Sequence, residues 1–118
     1  MSGFPQLIDF AGPCPAPQEW RPPAERILGG DPLQRAWNYY TSADGRFSAG
    51  IWQCAVGKWR VVFSESEFCT LLAGEILVTG DDGSERLLRA GDAFVSPAGF
   101  TGTWDVRAAA RKYYVIYE

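Results

Sequence analysis

Short runs of alternating apolar and polar residues, separated by turn signals, dominate the pattern of this chain. The clearest run covers residues 75–79 (EILVT), and a turn sequence at 81–83 (DDG) separates it from a returning run at 85–89 (ERLLR). β-Branched residues that flank an Asp-Gly turn are typical of a β-hairpin. A further run at 93–96 ends at Pro97, which has no N–H to donate to a neighbouring strand. The pattern predicts antiparallel strands joined by tight turns.

The same kind of pattern covers most of the remaining chain. Runs rich in aromatic and β-branched residues occupy 37–41, 47–54, 59–63, 67–73, 101–106 and 111–117. Gly74 is expected to turn the chain from the 67–73 strand into the hairpin, because glycine accepts a positive φ. No internal repeat is present. We therefore predict an all-β fold, a single barrel of about eight to ten short strands.

Residues 1–35 carry a different pattern. All but one of the eight prolines lie in this segment, and proline is unfavourable in helix interiors and central strands. The segment is nevertheless rich in apolar side chains such as Phe4, Phe10 and Trp20. We predict an extended N-terminal arm over 1–35, packed on its own barrel or on a second subunit of a homodimer, and a barrel domain over 36–118.

The charge pattern excludes several classes of partner. Fourteen acidic and eleven basic side chains give a net charge of −3, with both signs interspersed. Without a basic stripe we expect neither nucleic acid nor a membrane surface as a partner. The apolar runs are too short for a membrane span, and no cationic start precedes an apolar stretch, so we expect a cytoplasmic protein.

Cysteine and histidine usage restricts the chemistry further. The three cysteines form no CxxC pair, so buried free thiols are expected rather than a disulfide scaffold or a zinc ribbon. The chain contains no histidine. Any mechanism that needs an imidazole base, proton shuttle or metal ligand within this chain is therefore excluded.

Several spaced motifs resemble the cupin superfamily. Gly91, Pro97 and Gly99 match the second cupin motif, and Glu67 with Gly74 matches the end of the first. The short sequences WQC (52–54), GKW (57–59), EFC (67–69), GFTGTW (99–104) and RKYY (111–114) resemble the ureidoglycine aminohydrolase-type cupins, most of which have no assigned function. The resemblance spans about 36–118 and implies a jelly-roll barrel, also described as a double-stranded β-helix.

The same resemblance indicates that the usual metal site is missing. Metal-binding cupins supply three histidines and a glutamate, and the glutamate matches Glu67. The histidine positions fall on Val61 and Phe63, or on Arg60 and Val62, and on Gly102. One carboxylate with apolar neighbours cannot hold a transition metal tightly. We therefore expect no metal and no cofactor, and the aminohydrolase activity does not transfer to this chain.

Glu67 is the central candidate for a ligand site. The motif places it in the barrel lumen, and strand alternation brings Cys69 and Leu71 inward with it. In an aromatic-walled cavity, Glu67 could act as a general acid or base. Alternatively it neutralises Arg60 or Lys112, or lies near the mouth and stays solvated.

Aromatic residues and one lysine complete the candidate site. Four aromatic side chains could line a pocket for a planar or sugar-like ligand, or could only fill the core. Lys112 is expected to extend towards solvent, with a lumen cation as the alternative. The candidate ligand-binding residues are Glu67, Trp52, Trp59, Phe63, Cys69, Trp104 and Lys112.

The sequence thus predicts a metal-free cupin that binds a small polar metabolite in its barrel. Two alternatives remain open. One is a metal-independent isomerase or lyase that uses Glu67 as its acid or base, and the other is a non-catalytic, dimeric structural or regulatory protein. A lumen filled by aromatic side chains would favour the last, and an open cavity at Glu67 would favour binding or catalysis.

Overall fold

A computed structural model describes residues 3–118, which form nine β-strands in one strongly curled sheet. The strands are β1 (Gln18–Trp20), β2 (Ile27–Gly30), β3 (Gln34–Thr41), β4 (Phe47–Cys54), β5 (Gly57–Val62), β6 (Ser66–Gly80), β7 (Glu85–Arg89), β8 (Ala93–Ser96) and β9 (Thr101–Tyr117). A single 3-10 turn, Ala24–Arg26, precedes β2. The predicted all-β class is confirmed. No helix within residues 3–118 is long and apolar enough to span a membrane.

Two long strands, β6 and β9, organise the sheet. They pair antiparallel from Ser66 opposite Tyr117 to Gly80 opposite Gly102. On its free side β9 pairs with β5 along its first half and with β4 along its second half. In the same way β6 pairs with β8 and then with β7. Because each long strand serves two sets of neighbours, the sheet divides into two halves that enclose a common core.

The chain does not reverse at Gly74, so the turn predicted there is wrong. Residues 66–80 form one strand, in which the register against β9 shifts between Leu71 and Ile76. Gly74 has a φ of +90°, and a Cβ at this position would collide with the backbone of β9. The glycine therefore permits a β-bulge that bends the strand. The runs predicted separately at 101–106 and 111–117 likewise belong to one bent strand.

Strand alternation places the core as predicted. Glu67, Cys69 and Leu71 are all buried on the inner face of β6. The core cluster also contains three tryptophans, Trp52, Trp59 and Trp104, which lie on three different strands. The inner face of the barrel is therefore rich in aromatic side chains.

Part of the N-terminal segment joins the sheet, beyond what an extended arm predicts. β1 pairs with β3, and β2 pairs with β5. The prolines flank these strands, so the strand residues keep their N–H donors. Residues 3–17 contain neither helix nor strand, and Phe10 stacks on Tyr39 of the barrel at 4.4 Å between ring centroids. Strand β3 begins at Gln34, just before the predicted boundary.

None of the three cysteines forms a disulfide, and two of them are buried as expected. Burial raises the pKa values of the Cys54 and Cys69 thiols to about 12. Cys14 is exposed, contrary to the prediction, because it lies in the segment before β1 that the sheet does not cover.

Candidate functional site

The barrel contains an open cavity of about 620 Å³. The inner faces of β3, β4, β5, β6 and β9 form its walls and base, and residues of β1 and of the 3-10 turn, including Trp20 and Arg26, form its mouth. This volume lies in the range of typical small-molecule sites. The aromatic side chains therefore do not fill the lumen.

A buried ion pair lies at the base of the cavity. The Lys112 Nζ is 3.4 Å from Glu67 Oε2, and the two side chains are only 2% and 10% exposed. Lys112 lies on β9 directly opposite Trp52 of β4 and Leu71 of β6. Of the possible partners predicted for Glu67, Lys112 is therefore the one that pairs with it.

Two indole rings complete the surroundings of the lysine. The Lys112 Nζ lies 4.5 Å from the Trp52 ring centroid and 4.4 Å from that of Trp104. The two rings are nearly perpendicular, with an interplanar angle of 89° and centroids 5.8 Å apart. The faces of aromatic rings attract a cation, so the two indole rings and Glu67 replace the water molecules that would surround the Lys112 ammonium in solution. The expectation that Lys112 extends towards solvent is wrong, because alternation along β9 fixes it inward and these groups compensate its charge.

Trp104 is the centre of the aromatic wall. Its ring contacts Trp59, Phe63 and Phe94 with centroid separations of 6.1, 5.8 and 6.1 Å. The Trp104 Nε1 is fully buried and has no hydrogen-bond partner among residues 3–118. The four candidate aromatic residues both line the cavity and pack in or against the core, so the two alternatives considered for them, pocket wall and core packing, are both true of Trp52, Trp59, Phe63 and Trp104.

Two hydrogen bonds orient the polar side of the cavity. Trp52 Nε1 donates to Gln34 Oε1, and the Tyr114 hydroxyl donates to Asn38 Oδ1, both at 2.8 Å. An indole N–H can only donate, so Gln34 must present its oxygen to Trp52. Burial, with a smaller contribution from the Glu67 carboxylate, raises the pKa of Tyr114 to about 12. The Tyr114 hydroxyl is therefore protonated at neutral pH.

The charged groups at the mouth of the cavity do not pair with Glu67. Arg60 forms an ion pair with Asp81 at 2.6 Å rather than with Glu67, so that predicted pairing is wrong. Arg60 is near the surface, and Asp81 is the closer carboxylate. Asp82 accepts hydrogen bonds from the backbone and hydroxyl of Ser84 and so stabilises the turn, as its position predicts. Desolvation raises the pKa of Glu65 at the rim, with added repulsion from Glu118 and Glu67.

The donor set of this site does not fit a transition metal. Within the described part of the chain, no group of three or more Cys, Asp or Glu side chains is placed so that it could hold a metal ion. Glu67 already faces a cation, the Lys112 ammonium. Of the two possible pairs of histidine-equivalent positions, Val61 and Phe63 face inward, because Val61 is buried and Phe63 packs against the core, whereas Val62 is 53% exposed. Both inward positions are therefore apolar. At Gly102 a Cβ would collide with the Thr79 backbone, which leaves no room for a ligating side chain.

Six of the seven candidate residues surround the cavity, namely Glu67, Trp52, Trp59, Phe63, Trp104 and Lys112. Cys69 is buried beside the ion pair but does not line the cavity. The sequence interpretation missed Gln34, Asn38, Tyr114 and the mouth residues. Tyr114 could have been found by extending the alternation two residues from Lys112 along β9. The contribution of Trp20 and Arg26 had no comparable signal, since they lie in the proline-rich segment.

Comparison with known proteins identifies the family. Residues 41–114 match the EutQ-like cupin domain. A DUF861-family protein from Thermotoga maritima is 31% identical, with 54% of this chain and 73% of that chain covered and a TM-score of 0.53. No protein of curated function matches.

Two further solved structures share the fold at lower identity. A DUF861-family protein of unknown function from Pseudomonas syringae pv. tomato is 18% identical, with a TM-score of 0.80 over 92% of this chain and 46% of that one. The present chain thus spans less than half of that relative. An ethanolamine utilization protein Q from Salmonella typhimurium is 17% identical, with a TM-score of 0.65 over 95% of this chain and 98% of that one. The jelly-roll barrel is therefore confirmed, and the chain belongs to the EutQ-like cupin domain family, within the cupin superfamily that its sequence motifs predict.

Proposed function

We propose that this protein binds a small polar metabolite in the barrel cavity, with the Lys112–Glu67 pair as the recognition centre. The observation that carries the proposal is the place of this pair, at the base of an open cavity of about 620 Å³. Removing two charges from water is costly, and apolar residues of similar volume are often as stable or more stable. Retaining such a pair therefore indicates a role in contacts with a ligand.

The aromatic wall supports the same proposal. Trp52, Trp59 and Trp104 present large rings to the cavity, and the polar atoms of Gln34 and Tyr114 lie at its side. A predominantly aromatic pocket with a few fixed polar groups is typical of small-molecule sites. The rings supply contact area and the polar groups supply specificity.

A thermal-shift screen against amides, small carboxylates, amines and sugars tests the proposal, because a bound ligand raises the unfolding midpoint by mass action. We expect at least one class to stabilise the wild-type protein. Glu67→Gln and Lys112→Met should abolish that shift. Glu75→Gln is a matched control, since Glu75 lies on the same strand and pairs with Arg89 at the same 3.4 Å, but at the surface. A ligand whose affinity survives both cavity substitutions would contradict the assignment.

Acid–base catalysis without a metal is the second candidate function. A carboxylate, an ammonium and a hydroxyl, from Glu67, Lys112 and Tyr114, all line one cavity. An isomerase or lyase could use Glu67 to remove a proton from a bound substrate. Incubation of a bound compound in D₂O, followed by NMR, would reveal exchange of a C–H proton. Exchange that is lost in Glu67→Gln would support catalysis, and binding without exchange would support a binding protein.

We also propose that the chain forms a homodimer through the outer face of the sheet. In the pairing register, Phe68 on β6 lies between Val95 on β8 and Val115 on β9. Phe68 is 46% exposed and Val95 is 60% exposed. The N-terminal Phe10 already packs on Tyr113 of this face. Contiguous exposed apolar surface of this kind marks an interaction site. Sedimentation of the full chain tests the proposal, and a monomer at micromolar concentration would contradict it.

A further inference from the structure

The ligand class can be inferred from the charges and hydrogen-bonding groups of the cavity. We propose that the ligand is an uncharged, planar molecule that carries a carbonyl group and an N–H group side by side, as a carboxamide or a lactam does. This inference rests on the proposed function. It adds the chemistry that the cavity selects.

The charges at the base of the cavity already balance. Lys112 and Glu67 are the two charged side chains there, and they neutralise each other. At the mouth, Arg21 pairs with Asp31 at 2.7 Å and Arg60 pairs with Asp81. Arg26 and Glu65 also border the cavity, have no ion-pair partner among residues 3–118, and carry opposite charges, so the mouth adds no net charge either. A ligand carboxylate at the base would therefore add an uncompensated negative charge beside Glu67. A ligand ammonium would add a positive charge beside Lys112, whose own ammonium already occupies the aromatic faces.

The hydrogen-bonding groups, in contrast, are not fully used. Lys112 Nζ carries three N–H donors, and its one hydrogen bond to an oxygen atom within residues 3–118 is the one to Glu67 Oε2. The Gln34 amide nitrogen also has no partner in that part of the chain, because Trp52 fixes the Gln34 oxygen on the other side. No N–H or O–H group of the described residues donates to Glu67 Oε1, and the other hydrogen-bonding neighbour of the carboxylate is the weakly donating Cys69 thiol. Lys112 and Glu67 thus offer a donor and an acceptor 3.4 Å apart, and Gln34 adds a second donor on the cavity lining.

A carbonyl next to an N–H is the uncharged group that complements this arrangement. The carbonyl oxygen accepts from Lys112 or Gln34, and the N–H donates to Glu67, so the polar atoms of the ligand are both paired. The body of the ligand then contacts the Trp52 and Trp104 walls, where a planar group packs by stacked or edge-to-face contact. Charge balance, hydrogen bonding and wall shape therefore favour one class of ligand.

Three compounds of nearly equal size test the inference: benzamide, benzoate and benzylamine, which are neutral, anionic and cationic at pH 7. Titration calorimetry on the wild-type protein is expected to show benzamide binding about tenfold or more tightly than either charged compound. Benzoate or benzylamine binding as tightly as benzamide would overturn the inference and leave the proposed function standing. If none of the three binds while another class in the broader screen does, the inference is wrong again. If nothing in the broader screen binds, the proposed function fails with it.

Charge-altering variants test the same reasoning in reverse. Glu67→Gln leaves Lys112 without its counter-charge, and we expect the preference to change from benzamide to benzoate. Lys112→Met leaves Glu67 unpaired, and benzylamine should then bind best. Glu75→Gln, on the surface of the same strand, should leave the order unchanged. An order that stays the same in the cavity variants contradicts the inference, and the wild-type titration decides alone if a variant does not fold.

Discussion

Breaking the buried Lys112–Glu67 pair should destabilise the protein strongly, whereas replacing both partners should not. At the observed 3.4 Å separation and an effective dielectric constant of about 20, the Coulomb attraction is about 5 kcal/mol. Glu67→Gln keeps the shape of the side chain but removes this attraction from a lysine that is 2% exposed. Because the Trp52 and Trp104 faces remain, we expect a loss in the free energy of unfolding of about 3 kcal/mol, the lower end for such a break.

The double variant Glu67→Leu/Lys112→Met removes both charges and keeps similar volumes. Its stability should equal that of the wild type or exceed it by up to about 4 kcal/mol, since no buried charge is left uncompensated. Urea unfolding followed by tryptophan fluorescence measures each value. Glu75→Gln, which breaks a surface pair of equal length, should change stability by less than about 1 kcal/mol.

The reasoning is refuted by either of two results. If the double variant is as unstable as Glu67→Gln, the pair is structural, and its retention gives no reason to infer a ligand. If Glu67→Gln costs no more than the surface control, the ion pair does not have the buried, charged character on which the proposal depends.

Four other outcomes are expected. The folded-state pKa values of the Cys54 and Cys69 thiols are raised from 9 to about 12, so their contribution to stability is fully present below pH 9 and is lost as the pH rises towards 12. Urea unfolding at a series of pH values measures this decline, and it should be weaker in a Cys69→Ala variant. Trp104→Phe removes an unpaired buried N–H whereas Trp52→Phe breaks a hydrogen bond, so the second should be less stable by about 1–3 kcal/mol in urea unfolding. Deletion of residues 3–14 should weaken the homodimer in sedimentation, because it removes Phe10, whose ring extends the apolar outer face beside Tyr113. Elemental analysis should find less than one equivalent of any transition metal, because the donor set does not suit one.

Much of the barrel could be predicted because strand alternation is a local property. A two-residue period from Glu67 correctly placed Cys69 and Leu71 inside. The four aromatic residues named as candidates for the wall do line the cavity. The predicted turn at Gly74 failed because a positive-φ glycine serves a bulge as well as a reversal. Only the pairing of β6 with β9 decides between the two.

The ion pair and the mouth of the cavity were harder to predict because they depend on contacts between distant segments. A lysine in a sequence suggests an exposed side chain. Lys112 is buried because Glu67 on β6 and the indole rings of Trp52 on β4 and of Trp104, earlier in β9, surround its Nζ. The proline-rich segment has no periodic pattern that could show that Trp20 and Arg26 border the cavity. Gln34 gained its role only through the hydrogen bond from the Trp52 indole on the neighbouring strand.

The central claim, that the barrel cavity binds a small molecule, is tested most directly by the indole N–H signals of the wild-type protein in NMR titrations with the compound panel. Trp52, Trp59 and Trp104 line the cavity, whereas Trp37 lies under Arg111 with 5.3 Å between the guanidinium carbon and the ring centroid, and does not line it. Trp20 borders only the mouth. We predict saturable shifts at Trp52, Trp59 and Trp104 and an unchanged Trp37 signal. A panel that leaves the cavity signals unmoved, or that moves Trp37 alone, would contradict the account.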